Sequence, residues 1–195
     1  AGITIFEITT DEQYLKFSLE LTETLIENFG DEEGMFFITS KMKDDIIIRN
    51  KQIVDNVMPN ANAVMIENLT KLDFITGERK YNQLNTKIIQ DYSSRINKEY
   101  FGICSFLNSL DFFNNYQSII ITGINKDDNK KIYDQLIKKY LPNTIILMIN
   151  EKTNIISKND FLNQIEIKSE SSIYLCKNNT CSLPSKNVEE ILKMI

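Results

Sequence analysis

The sequence predicts an α+β fold, with helical hairpins of a partial α/α toroid, an inserted β-hairpin and a small α/β module at the end. Three observations predict it. Apolar side chains recur at helical spacing, between capping and stop signals, through residues 1–115. At Tyr116 the pattern changes to strand, helix, strand. A short segment also recurs: "ITTDEQY" at residues 8–14 and "ITGERKY" at 75–81, with Thr9 to Thr76 and Tyr14 to Tyr81 sharing an offset of 67 residues. The expected domains are therefore 1–115, the helical hairpins, and 116–195, the α/β module.

The elements follow in order. "TTDEQYLKFSLELTETLIENFG" opens with Thr10 as N-cap and Gln13 at the third helical position, a capping pair. Leu15, Leu19, Thr22, Ile26 and Phe29 share one face, and Gly30 supplies a left-handed stop. Met35–Thr39 and Ile46–Arg49 are β-rich runs around a polar turn, which predicts the inserted hairpin. Pro59 suits the first turn of the next helix, which Gly77 ends. Further helices are expected over Glu78–Ile96 and Glu99–Asn114. "QSIIITG" and "TIILMIN" read as buried strands joined through "DDNKKIYDQLIKKYLPN", a βαβ unit. Residues 150–171 read as irregular, "SSIYLC" as a strand, and "LPSKNVEEILKMI" as a final helix with Val188, Ile191, Leu192 and Ile195 inward.

Each copy of the repeat falls where one helix ends and another begins. Asp11 or Glu78 sits where a negative charge complements the next helix dipole, and Tyr14 or Tyr81 packs into the hairpin. A joint that recurs in this way is architectural, and its period exceeds those of tetratricopeptide and HEAT arrays, which favours a toroid.

Composition excludes several chemistries. The sequence has no His, so no Ser-His-Asp triad, Cys-His dyad or imidazole metal site can be built from it. The net charge of -5 argues against nonspecific nucleic-acid binding. Acidity is concentrated in residues 1–50, with eleven Asp/Glu against four Lys/Arg, as expected of solvated helix faces. Apolar runs are strand-sized, far short of the roughly 18 residues of a spanning helix. No secretory pattern opens the sequence, so a reducing cytoplasm is expected, without structural disulfides. The abundance of Asn, Ile and Lys fits an AT-rich genome.

Five segments in order carry a resemblance: "FGDEEGMFFIT", "VDNVMPNANAVMIENLTKLDFITGERKY", "SIIITG", "KYLPNTIILM" and "IYLCKNNTCSLP". Together they resemble the C-terminal part of the bacterial thioredoxin-domain proteins related to spermatogenesis-associated protein 20. The resemblance implies an N-terminal thioredoxin-like domain, then an (α/α)6 barrel similar to six-hairpin glycosidases and N-acylglucosamine 2-epimerases, then a small α/β segment. By that implication this chain is a fragment or split gene product. Its partners would be the thioredoxin-like domain or the remainder of the barrel, and its setting carbohydrate metabolism. Asn60 and Ala61 stand where the family has Ser-Gly, and Lys-Asn-Asn-Thr replaces a segment with an aromatic residue between the last two cysteines. The histidines of epimerase chemistry are absent.

Candidate sites follow, each beside a structural alternative. The loop "VDNVMPNANA" offers Asp55, Asn56, Asn60 and Asn62 to a polar ligand such as a sugar; the alternative is N-capping. "DEEGMFF" offers Asp31, Glu32 and Glu33 as carboxylates and Phe36 or Phe37 as stacking surfaces; the alternative is a solvated acidic turn and core packing. Cys176 and Cys181 flank an Asn-Asn turn, which lets them face each other across a hairpin as a disulfide or one half of a soft-metal site; the readings are a regulatory thiol-redox pair or ordinary hairpin cysteines, since their spacing is not that of a zinc site. "ITGINKDDNKK" lacks the glycines of a phosphate loop. No cofactor or metal is expected. The functional expectation is a segment that closes a barrel and lines a polar pocket without self-contained catalysis. The rivals are a protein-interaction module, dimerising through exposed helices, and a redox adaptor centred on Cys176 and Cys181.

Overall fold

The computed structural model describes residues 1–43, 45–96, 101–151, 154–178 and 180–195. Its elements are α1 (Gly2–Thr9), α2 (Glu12–Phe29), α3 (Ala61–Thr76), α4 (Arg79–Arg95), α5 (Cys104–Asn115), β1 (Gln117–Thr122), α6 (Lys126–Leu136), β2 (Thr144–Ile149), α7 (Asp160–Asn163), β3 (Ser172–Lys177), β4 (Thr180–Cys181) and α8 (Val188–Leu192). This is an α+β arrangement. The chain forms two compact units.

One unit gathers Ala1–Leu15, Ile75–Gly77 and Asn115–Ile195. Its centre is a four-stranded sheet in the order β2-β1-β3-β4. β1 and β2 are parallel, from Gln117 opposite Thr144 to Thr122 opposite Ile149, so β1, α6 and β2 form the expected βαβ unit. β3 returns antiparallel to β1, and β4 pairs with β3. The strands read as continuous apolar runs because they are buried: Ile119, Ile120, Ile121, Ile145 and Leu147 have no exposure. Ile119, Ile121, Met148 and Ile173 pack with Tyr133 and Leu136 of α6 and Val188 and Ile191 of α8. The Asn125 side chain caps α6, and the Asn159 side chain caps α7. Residues 150–171 are thus less irregular than expected, holding a 3-10 turn at Ile156–Lys158 as well as α7. Ile195 is exposed, not inward, because α8 ends at Leu192.

The other unit gathers Lys16–Phe74 and Glu78–Asn114. Ala63, Ile66, Leu69 and Leu72 on α3 are fully buried, as are Ile88 and Tyr92 on α4. Tyr92 stacks on Phe106 of α5 at 3.9 Å between ring centroids. Asn85, also fully buried, donates to the Ile66 carbonyl and the Thr70 hydroxyl at 3.1 and 3.0 Å. α2 buries Leu15, Ser18 and Thr22 on one side, while Phe17, Leu21 and Leu25, about one turn apart, are exposed on another.

Four local expectations need correction. Thr10 does not cap α2. It adopts φ 59° as the left-handed residue that ends α1, and the Asp11 carboxylate accepts the Gln13 N–H instead. Pro59 precedes α3 without entering it, because the Asn60 side chain caps the helix through the Asn62 and Ala63 N–H groups. The helix expected from Glu99 begins outside the described residues; Phe101–Ile103 is a 3-10 turn leading into α5.

The inserted β-hairpin is the fourth. Among the described residues, 35–49 contain no strand. The backbone of that segment is engaged elsewhere: Phe36 with the Asn62 side chain, Phe37 N–H with the Phe29 carbonyl, and Lys41 N–H with the Asn28 carbonyl. Among the described residues one backbone hydrogen bond, Ile38 N–H to the Asn50 carbonyl, joins the two arms, beside the Arg49 side chain on the Thr39 carbonyl, and neither makes a ladder.

Candidate functional site

The richest chemistry lies at Lys51, within the helical unit. Gly34 brings the "DEEG" turn against α4. Its φ is 132°, and a Cβ there would sit 2.5 Å from the Lys87 carbonyl carbon. The next residue, Met35, donates its N–H to Asp91 on α4 at 3.2 Å. The Glu33 N–H binds the Asp31 carboxylate at 2.5 Å, which curls the turn. Three carboxylates from distant sequence thus meet one ammonium. Lys51 Nζ lies 2.8 Å from Asp31, 2.7 Å from Asp91 and 3.2 Å from the Glu33 carboxylate. Arg95, one turn after Asp91, binds Asp91 at 2.5 Å and Glu33 at 2.7 Å.

The Lys51 and Asp91 side chains are each 5% exposed, whereas Glu33 is 66% exposed and forms the rim. Arg49, two residues before Lys51, covers the Phe37 ring at 4.0 Å and donates to the Thr39 and Asn28 carbonyls. Asp31, Glu33, Phe37, Arg49, Asn50, Lys51 and Arg95 line an open cleft of about 300 Å³, with Asp91 buried behind Lys51. That is the lower end of small-molecule sites, which run about 300–1,000 Å³.

The protonation states define what this cleft can do. Burial works against the Lys51 ammonium, but hydrogen bonds to Asp31, Asp91 and Glu33 together outweigh it and hold the amine protonated above its ordinary range. Burial likewise opposes the charge on Asp91 and Asp31. Their bonds to Lys51, with Arg95 and the Met35 N–H for Asp91 and the Glu33 N–H for Asp31, outweigh it and hold both carboxyls below their usual range. At neutral pH there is no amine base for nucleophilic attack and no protonated acid among these three groups. The set is suited to hydrogen bonding: fixed donors beside fixed acceptors, with three cations (Arg49, Lys51, Arg95) and two carboxylates (Asp31, Glu33) on the lining and a third carboxylate, Asp91, buried behind Lys51.

The residues singled out from sequence lie mainly in the frame around this cleft. Asp55 accepts from the Asn60 N–H at 2.9 Å, the Ser105 N–H at 2.8 Å and the Ser105 hydroxyl. Burial opposes its charge, but these bonds outweigh it and lower its pKa. Asn60 is buried and donates to the Gln52 carbonyl at 2.9 Å. Asn62 is buried, accepting the Phe36 N–H at 2.7 Å and donating to the Phe36 carbonyl at 3.1 Å. Phe36 is buried; Asn56 and Glu32 are exposed. The structure links Asp55 to Asn60 and Asn62 to Phe36. Among the residues lining the cleft, Asp31, Glu33 and Phe37 belong to the "DEEGMFF" segment considered above.

Arg49, Lys51, Asp91 and Arg95 were missed. Two signals pointed to them. Arg49 and Lys51 stand two apart in an extended run, hence on one side, and Asp91 and Arg95 stand four apart on a helix. Cys176 and Cys181 face each other in β3 and β4 and are joined by a disulfide, contrary to the compositional expectation. Among the described residues, no group of three or more His, Cys, Asp or Glu could hold a metal ion, and no helix is long and apolar enough to cross a membrane.

No family model matches the chain. By sequence it is similar to spermatogenesis-associated protein 20 of Homo sapiens, 22% identical over 198 residues covering 98% of this chain and 25% of the relative. The Mus musculus protein of the same name is also 22% identical, with the same coverage. An uncharacterized protein of Caenorhabditis elegans is 20% identical over 193 residues, covering 98% and 26%. The chain therefore spans about a quarter of the length of the curated relatives it matches.

Proposed function

We propose that this chain works as the C-terminal part of a larger protein of the spermatogenesis-associated protein 20 type. Its helical unit contributes hairpins to an (α/α)6 toroid, and the cleft around Lys51 forms one wall of a polar pocket for a small, neutral, polyhydroxylated ligand such as a monosaccharide. No catalysis resides in the cleft itself. The observation that carries the first part is the match of nearly the whole chain to a quarter of each relative. The ligand class rests on the cleft: with Asp91 behind Lys51 counted, its charges cancel, so a neutral partner fits best, and hydroxyls use donors and acceptors set side by side.

Every lining residue lies in one compact unit, so the chain itself is the sample. Titration of the 15N-labelled chain with neutral monosaccharides and with their uronic acids should shift the amides of Gly34, Phe37, Asn50 and Lys51 with the neutral sugars. Lys51→Met should abolish those shifts. Shifts confined to the uronic acids, or none at any sugar concentration, would refute the ligand assignment. A second reading, docking to another copy of the chain, is favoured by the exposed Phe17, Leu21 and Leu25 on α2. A concentration-dependent dimer dissolved by Leu21→Lys supports it; a monomer at all concentrations removes it.

A further inference from the structure

Cys176 and Cys181 are directly opposite in β3 and β4, and their disulfide spans a sequence separation of only 5. A cross-link so local adds little to a hairpin closed by other means. Here the register is held without sulfur: the Ser182 N–H donates to the Leu175 carbonyl at 2.8 Å, and the Leu175 N–H donates to the Ser182 hydroxyl at 3.2 Å. Lys177 pairs with Thr180 beyond the cysteines, and the Ile173–Ser185 bridge pins the other end.

The two sulfurs differ in access. Cys176 is 2% exposed. Cys181 is partly exposed on the edge strand and lines an open cleft of about 340 Å³ with Phe161, Gln164, Ile165, Glu166, Tyr174 and Ser182.

We propose that Cys176–Cys181 is an exchanging disulfide, reduced by an external dithiol that enters through this cleft. One thiolate of the dithiol attacks Sγ of Cys181. The Cys176–Cys181 bond breaks, and its electron pair leaves on Cys176, which takes a proton. Cys181 is then bonded to the reductant. The second thiolate of the dithiol attacks its own partner sulfur in that bond, closing the reductant's disulfide and releasing Cys181, which is protonated in turn. Two electrons and two protons pass to the protein, and the reverse sequence restores the disulfide. Attack at Cys181, with buried Cys176 as leaving group, follows from the unequal exposure.

The test uses the full chain carrying Cys104→Ser, since Cys104 lies outside the disulfide and is exposed. Reduced and oxidised dithiothreitol are set at graded ratios, thiols are trapped by acid and maleimide, and mass spectrometry is read beside far-ultraviolet circular dichroism. The expected result is reversible appearance of two thiols with the dichroism unchanged. In the same background, Cys176→Ser, which leaves Cys181, should react with an aromatic disulfide about 10-fold or more faster than Cys181→Ser, which leaves Cys176. Thiols that appear only as the dichroism is lost would make the bond a structural staple and overturn the proposal. So would a Cys181→Ser chain reacting as fast as, or faster than, the Cys176→Ser chain.

Discussion

Replacing Lys51 by Met tests the cleft as a structural unit. Methionine keeps the volume and removes the charge. The wild-type ammonium binds Asp31 at 2.8 Å and Asp91 at 2.7 Å with both the lysine and Asp91 side chains nearly sealed from water. Removing one partner of a buried pair costs about 3–5 kcal/mol, because the other charge stays buried. Arg95 remains on Asp91 and the Asp31 side chain is 16% exposed, so the lower end, about 3 kcal/mol at pH 7, is expected. For a chain of this length that lowers Tm by about 6–12 °C.

The dependence on pH has a definite sign. In the wild type, Asp31 and Asp91 have depressed pKa values, so their contribution is present above the ordinary carboxylate range and is lost as the pH falls through the depressed values. Lys51 has a raised pKa, so its contribution is present at neutral pH and is lost only as the pH rises through that raised value. In Lys51→Met the two carboxylates face each other without the ammonium, and protonating one relieves them. The deficit should therefore shrink as the pH is lowered from 7 toward 3. Thermal unfolding followed by far-ultraviolet circular dichroism is the assay, since the sequence has no Trp to report by fluorescence. A loss below about 1 kcal/mol at pH 7 would place the cluster with exposed surface pairs. A deficit that stays constant down to pH 3 would show that its origin is not ionic.

Two further substitutions address the frame. Gly34→Ala places a methyl 2.5 Å from the α4 backbone at a φ of 132°, so it should cost about 2–3 kcal/mol in chemical denaturation and weaken any ligand seen in the Lys51 cleft. Asn62→Ala strips the Phe36 N–H and carbonyl of their partner in a buried setting, and a loss of about 2–4 kcal/mol is expected in the same assay.

What the sequence made legible was local. The longer helices, β1, β2 and β3 announce themselves through period and capping, which act within a few residues, whereas the four-residue α7 was missed. The repeat was legible as a joint for the same reason. Thr10 ends α1 at φ 59° and Gly77 ends α3 at φ 72°, and the Tyr14 and Tyr81 N–H groups then bond to the Asp11 and Glu78 carbonyls, at 3.2 and 3.1 Å. The failure at residues 35–49 has the opposite cause. Its β-rich runs were read as a hairpin, but a strand needs a neighbouring backbone. Here the neighbours are the end of α2 and one asparagine 26 residues away. The Lys51 cluster was hidden likewise, because its ion pairs join positions 20 and 40 apart.

The segment between α2 and α3 is irregular, yet it is anchored on the side facing the site. Gly34 lies against α4, Asn62 grips Phe36, and Asp55 ties Asn60 to Ser105 near the start of α5. The Tyr92 hydroxyl bonds the Ile53 carbonyl, which fixes the chain just past Lys51. Away from the site the same segment exposes Met42, Ile47, Ile48, Val57 and Met58. The segment buries Met35 and Phe36 at its start, and beyond them side-chain hydrogen bonds from Asn60 and Tyr92 hold the backbone just past Lys51 while these aliphatic side chains stay in water. The asparagines that looked like ligands in the sequence thus act one step back, as the frame of a charged cleft.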